Sequence, residues 1–85
     1  MKNTRTPIYL KDAQKFLDEC IGTRELVSLT VLKLDGTRVE YNGWQVLSSH
    51  WKRGTHDLVN PYARERIRKV IDVLIFEING HQVYI

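Results

Sequence analysis

The stretch Val73-Leu74-Ile75-Phe76, followed closely by Asn79-Gly80, constrains this chain more than any other feature of its sequence. It is the longest unbroken apolar run, and it is apolar at odd and even positions alike, the pattern of a strand covered on both faces. Asn-Gly favours a type I′ turn, whose two central residues need positive φ and whose twist matches the strands it joins. The pattern predicts a strand from about Ile67 to Ile78 and a reversal at Asn79-Gly80. The chain then returns as His81 to Ile85, with Phe76 opposite Val83 and Leu74 opposite Ile85. Such a ribbon belongs in the middle of a sheet.

Upstream, Ala13, Phe16, Leu17, Cys20 and Ile21 recur at the spacing of one helix face. Asp12 in the first turn suits the helix dipole, and Gly22 supplies a stop. The helix is predicted over Leu10 to Ile21, with residues 1–6 a frayed polar arm. Leu26 to Leu34 reads as a strand, and Asp35-Gly36 announces its reversal. A two-residue loop there would set Val31 against Glu40. A three-residue loop of Leu34, Asp35 and Gly36 pairs Val31 with Val39 and Leu29 with Tyr41, leaving Thr30 to face Glu40 and Leu32 to face Arg38. Only the second register gathers the apolar side chains on one face, so it is the one expected. The returning strand continues past a bend at Asn42-Gly43 into Trp44 to Val46. Ser48 to Gly54 reads as a polar loop and Thr55 to Val59 as a short strand ended by Asn60-Pro61. Residues Pro61 to Arg66 fit a helical turn or a plain loop.

Eighty-five residues make one small domain, and such a chain buries only about 60–65% of its unfolded surface, so the core is thin. One cysteine cannot close an intrachain disulfide, which fits a reducing, cytoplasmic setting. The basic start is followed by no apolar signal-peptide core, and four apolar residues fall far short of the roughly 18 of a membrane span. The element order predicts an α+β fold: an N-terminal helix followed by a five-stranded, mostly antiparallel SH3-like or Sm-like barrel. An open sheet with the helix packed on one face is the alternative.

Leu26 to Arg38, with its "KLDGTR" turn, and the terminal "DVLIFEINGHQVYI" hairpin together resemble the small WYL-like domains with an Sm-like SH3 barrel. Those are short bacterial and phage-associated chains, mostly of unknown function. The resemblance covers about half of the chain and implies a barrel. It carries no Trp-Tyr-Leu triplet, and so implies little about activity.

No catalytic constellation emerges. His50, His56 and Asp57 cluster in sequence, but two histidines six apart across a glycine do not make a zinc pattern, and they read as surface histidines of a loop. Cys20 falls on the apolar helix stripe, where a thiol packs as a small hydrophobe instead of reacting. Asp18-Glu19 reads as a solvated helix face, and the glycines form no nucleotide-binding fingerprint. The sequence therefore predicts no enzyme, no cofactor and no metal.

The one feature with functional weight is charge. Of a net +3 for the whole chain, the segment from Lys52 to Lys69 carries six cations against Asp57 and Glu65, a local +4. Arg64, Arg66 and Arg68 alternate, so an extended chain projects them to one side. Guanidinium groups bind phosphate in bidentate fashion, and exposed aromatics stack on unpaired bases. Trp51, Lys52, Arg53, Tyr62, Arg64, Arg66, Arg68 and Lys69 are thus candidate contacts for DNA or RNA. The same arginines would equally discourage unwanted pairing at a sheet edge. A protein-interaction module or a small homo-oligomer is the other expectation, with no membrane partner.

Overall fold

The computed structural model describes residues 5–50 and 52–85. In chain order these form strand β1 (Arg5–Tyr9), helix α1 (Leu10–Cys20), strands β2 (Leu26–Leu32), β3 (Arg38–His50), β4 (Thr55–Asn60) and β5 (Ala63–Ile71), a 3₁₀ turn (Asp72–Leu74), and strands β6 (Ile75–Ile78) and β7 (His81–Tyr84). All seven strands lie in one sheet, ordered β1-β7-β6-β2-β3-β4-β5. β1 runs parallel to β7 and every other pair is antiparallel.

The helix follows its apolar period. Ala13, Leu17 and Cys20 are buried, with Phe16 and Ile21 packed beside them. Its C-terminus is closed by Thr23, whose N–H and Oγ1 both donate to the Cys20 carbonyl at 3.1 and 2.7 Å. Against this stripe the sheet presents Val27, Leu29 and Val31 from β2, Tyr41 and Val46 from β3, Leu58 from β4, Val70 from β5, and Ile75 and Ile78 from β6. Tyr41 and Trp44 meet edge to face, with ring centroids 5.1 Å apart.

The β2–β3 register is the three-residue-loop register: Leu29 faces Tyr41, Thr30 faces Glu40, Val31 faces Val39 and Leu32 faces Arg38. The ladder then slips by one residue before Val27 meets Trp44, which places a bulge at Asn42-Gly43. Gly43 takes φ 69° there, a conformation that a side chain would strain, and its N–H reaches the Ser28 hydroxyl. Beyond the bulge β3 runs on to His50, so Ser48 to His50 are ladder residues facing Asp57, His56 and Thr55, not the start of a loop.

The expected α+β fold with a five-stranded barrel is not what forms. The chain is mostly strand with one short helix, and its seven-stranded sheet stays open. Two causes are visible. Arg5 and Thr6 are not a frayed arm; they enter β1, which adds a parallel strand beyond β7. At the other end β5 pairs, among the described residues, only with β4, and the sheet stays open there. The predicted single strand from Ile67 to Ile78 is also two strands, broken at Asp72–Leu74. A carboxylate cannot continue an apolar central strand without a partner, and Asp72 instead turns inward to polar groups described below. Leu74 consequently lies in the turn and forms no pair with Ile85.

That turn implies strong curvature. β5 and β6 stand four positions apart in the sheet, about 19 Å if it were flat, yet a 3₁₀ turn of three residues spans only about 6 Å. The sheet must therefore curl so that its far edge swings back toward the middle, which is how one 11-residue helix contacts β1, β3, β7 and the 3₁₀ turn.

The Asn79-Gly80 reversal forms as predicted, with φ of 49° and 85° and Ile78 facing His81. Asn79 also ties this turn to β2: its Oδ1 accepts from the Ser28 N–H at 2.9 Å and its own N–H donates to the Ser28 carbonyl at 2.8 Å. Phe76 on β6 is capped by Arg38, whose guanidinium carbon lies 4.6 Å from the ring centroid. Replacing Asn79 by Gly keeps the turn conformation but orphans the Ser28 N–H, and is expected to cost about 1–3 kcal/mol. Urea denaturation measures this, and an unchanged midpoint would show that the side-chain bond contributes nothing.

Candidate functional site

Two polar clusters and one cationic edge make up the chemistry of this molecule. The first cluster is centred on His56, which is 2% exposed on β4. Alternation along β4 aims His56 and Leu58 at the helix side, and His56 lies opposite Ser49 and Val70 in the ladders. Its Nδ1 lies 2.7 Å from the Oδ1 of Asp72, itself 2% exposed, and its Nε2 lies 2.7 Å from the Oδ1 of Asp18 on α1. Gln14, one turn before Asp18, donates from Nε2 to the other Asp72 oxygen at 2.9 Å. The Asp72 N–H donates to the Gly54 carbonyl, which fixes the carboxylate at the mouth of the β3–β4 turn.

Each ring nitrogen thus faces a carboxylate, and both must donate, which is the imidazolium form. Burial pushes the His56 pKa down, but the hydrogen bonds it donates to Asp72 and Asp18, together with their charges, outweigh it and hold the pKa above its ordinary value. A polar cleft of about 250 Å³ opens beside the group, lined by Gln14, Asp18, Ser49, His56 and Asp72. The expectation that His56 is a surface histidine is corrected, since it is buried on β4, whereas Asp18 does lie on a solvated helix face, its side chain 53% exposed, and reaches His56 from there. The available signal was Asp72, a lone carboxylate inside the apolar stretch from Val70 to Phe76, which requires a buried partner.

The second cluster is more exposed. Asp57 Oδ2 receives Ser48 Oγ at 3.1 Å and His50 Nε2 at 2.9 Å, and Asp57 faces Lys69 across the β4–β5 ladder. Burial raises the Asp57 pKa, but His50, Ser48 and the nearby Lys69 reverse this and lower it overall. Serine and histidine both bind the same carboxylate oxygen, so no serine-to-histidine relay exists. Among the described residues no group of three His, Cys, Asp or Glu side chains gathers as a metal site. Cys20 is 3% exposed within the core, and burial foremost pushes its thiol pKa up.

The cationic residues divide. Trp51 lies outside the described residues. Lys52 and Arg53 occupy the β3–β4 turn, where they border a shallow concavity of about 440 Å³ with Ser49 and His50. Tyr62, 92% exposed, sits in the β4–β5 turn at the opposite end of β4. Arg64, Arg66, Arg68 and Lys69 lie on β5 between these two turns, so the segment forms an elongated row and not one compact patch. All six residues from Arg64 to Lys69 are exposed, on both faces of the strand, which means this half of β5 extends beyond the core. The ladder moves from Asn60–Ala63 to Val59–Ile67, leaving Arg64 to Arg66 off register, so strict alternation does not govern their directions. Arg64 reaches the Gln45 Oε1 at 3.0 Å and Arg68 donates to the Ile67 carbonyl at 3.0 Å. None of the three arginines is ion-paired among the described residues.

The His56 group predicts an unusual pH response. A raised folded pKa adds stability that is fully present below the unfolded value of about 6.5 and is lost as pH rises through the folded pKa. Wild-type stability should decline on the alkaline side of that window, and the decline should vanish in His56→Gln with Asp72→Asn. His56→Ala alone strands the buried Asp72 carboxylate and is expected to cost about 3–5 kcal/mol. Urea titrations at several pH values test both expectations, and a wild-type profile flat across neutral and alkaline pH would sink the imidazolium assignment. Cys20 should stay unmodified by a thiol reagent in the native protein and react on unfolding.

Compared with known proteins, the chain matches no family model, no curated protein and no solved structure.

Proposed function

We propose that this protein binds nucleic acid without catalysis, through the phosphate backbone, using the outer edge of β5. The observation that carries this reading is the row Arg64, Arg66, Arg68 and Lys69, exposed on a strand whose outer edge has no partner among the described residues. Although Arg64 to Arg66 lie off register, all four cations stay exposed along one strand, so they offer a row of cations instead of a single anion pocket. Lys52 and Arg53 extend the same charge past the far end of β4. The histidines fit a non-catalytic role: both nitrogens of His56 are engaged by carboxylates, and the Ser48 hydroxyl donates to Asp57 and not to an imidazole.

Binding should fall steeply with salt, with a log–log slope reduced by about 0.7–0.9 for every phosphate contact removed. Arg66→Ala with Arg68→Ala should weaken binding and flatten that slope by about 1.4–1.8. Because both side chains are exposed, the thermal midpoint should hardly move. Fluorescence anisotropy with labelled DNA and RNA supplies the measurement; absence of any low-salt binding by the wild type defeats the reading.

A second reading is association through the sheet edges, favoured by the unpaired outer sides of β1 and β5. Light scattering that finds only monomer over a wide concentration range removes the self-association form of it.

A further inference from the structure

Resting on the phosphate-binding reading above, we infer that the preferred ligand is single-stranded, with one unpaired base stacked on Tyr62 while its backbone follows β5. Tyr62 is the most exposed large apolar or aromatic side chain among the described residues, at 92%. Nothing in the core requires it: it belongs to neither the buried cluster nor the residues packed against it. Its backbone is nevertheless fixed. The Tyr62 N–H donates to Asn60 Oδ1 at 2.9 Å, and Pro61 between them restricts the turn. An aromatic ring on a pre-ordered turn loses little entropy on meeting a flat partner.

The placement is directional. Arg64 begins the cationic row two residues after Tyr62, and Lys69, paired with Asp57 in the β4–β5 ladder, ends it. A strand lying along this row would present its phosphates to Arg64, Arg66, Arg68 and Lys69 and one terminal base to the Tyr62 ring. A duplex keeps its bases stacked on one another and exposes a free face only at its two ends, whereas every base of a single strand can turn out to meet a ring. Every base has a π-face, so this arrangement selects for unpaired bases and not for sequence. The phosphate row alone would not distinguish the two forms in this way.

The test compares oligothymidylate or oligouridylate of about twelve nucleotides with a duplex of the same length, within the site sizes of single-strand binders. Wild type, Tyr62→Ala, Tyr62→Leu and Tyr62→Phe are titrated at low salt by anisotropy, with circular dichroism as a check on folding. Tyr62→Ala should lose about five- to hundred-fold for the single strand and leave duplex binding unchanged. Tyr62→Phe should restore the affinity, whereas Tyr62→Leu, apolar but without a ring, should not. Equal losses for both ligands, full rescue by leucine, or no effect of Tyr62→Ala overturns the stacking assignment. If salt-dependent binding persists in that case, the phosphate reading stands without it. A wild type that binds neither ligand removes both.

Discussion

The rest of the structure depends on the contact of His56 with Asp18 and Asp72. A charged imidazole sealed from water is costly unless both of its N–H groups are paired. Here the two partners come from different elements: Asp18 from α1, Asp72 from the turn between two strands. Satisfying one buried cation therefore fixes the helix over β4 and fixes the point at which the chain leaves β5. Gln14 reinforces the same geometry by holding the second Asp72 oxygen from the helix. Apolar packing of Ala13, Leu17 and Cys20 supplies the non-directional part of helix docking, and the polar triad supplies its register.

The constraint at Asp72 also explains why charge accumulates where it does. Once the chain turns inward there, β5 is left with one neighbour and a long projecting half. A strand in that position needs side chains that keep other strands away, and arginines and lysines meet the need. The proposed phosphate row and the protection of the edge are two uses of the same solvated cations. Tyr62, at the end of that row, has no comparable role in keeping an edge soluble, which is why it carries the more specific inference.

How far the sequence could be read varied with how local the determining signal was. The α1 stripe, the β2–β3 register, the bulge at Asn42-Gly43 and the Asn79-Gly80 reversal were all legible, because each is set by residues a few positions apart. The break at Asp72 was not, because its cause lies 16 residues away at His56 and farther still at Gln14. Periodicity saw only Val70 to Phe76 as one apolar segment and passed over the carboxylate inside it. β1 was missed for a similar reason: five residues that begin with Arg-Thr-Pro show no strand alternation, and only the parallel partner β7, at the other end of the sequence, makes them a strand. Among site residues, the exposure of Tyr62 and the β5 arginines matched the sequence-based expectation of a solvated basic segment, whereas its elongated layout depended on where β4 begins and ends.

The β6–β2 pairing has a kinetic meaning. β2 through β5 form a meander in which each strand meets the next across a short connection, so these contacts cost little loop entropy. β6, by contrast, must find β2, with Leu29 facing Ile78 across 49 positions of chain. Long-range pairings of this kind slow the search for the native topology. The meander needs only short loops to assemble, whereas the apolar face it presents is completed only when the C-terminal ribbon, β6 and β7, slots in beside β2, the step that topology makes slow.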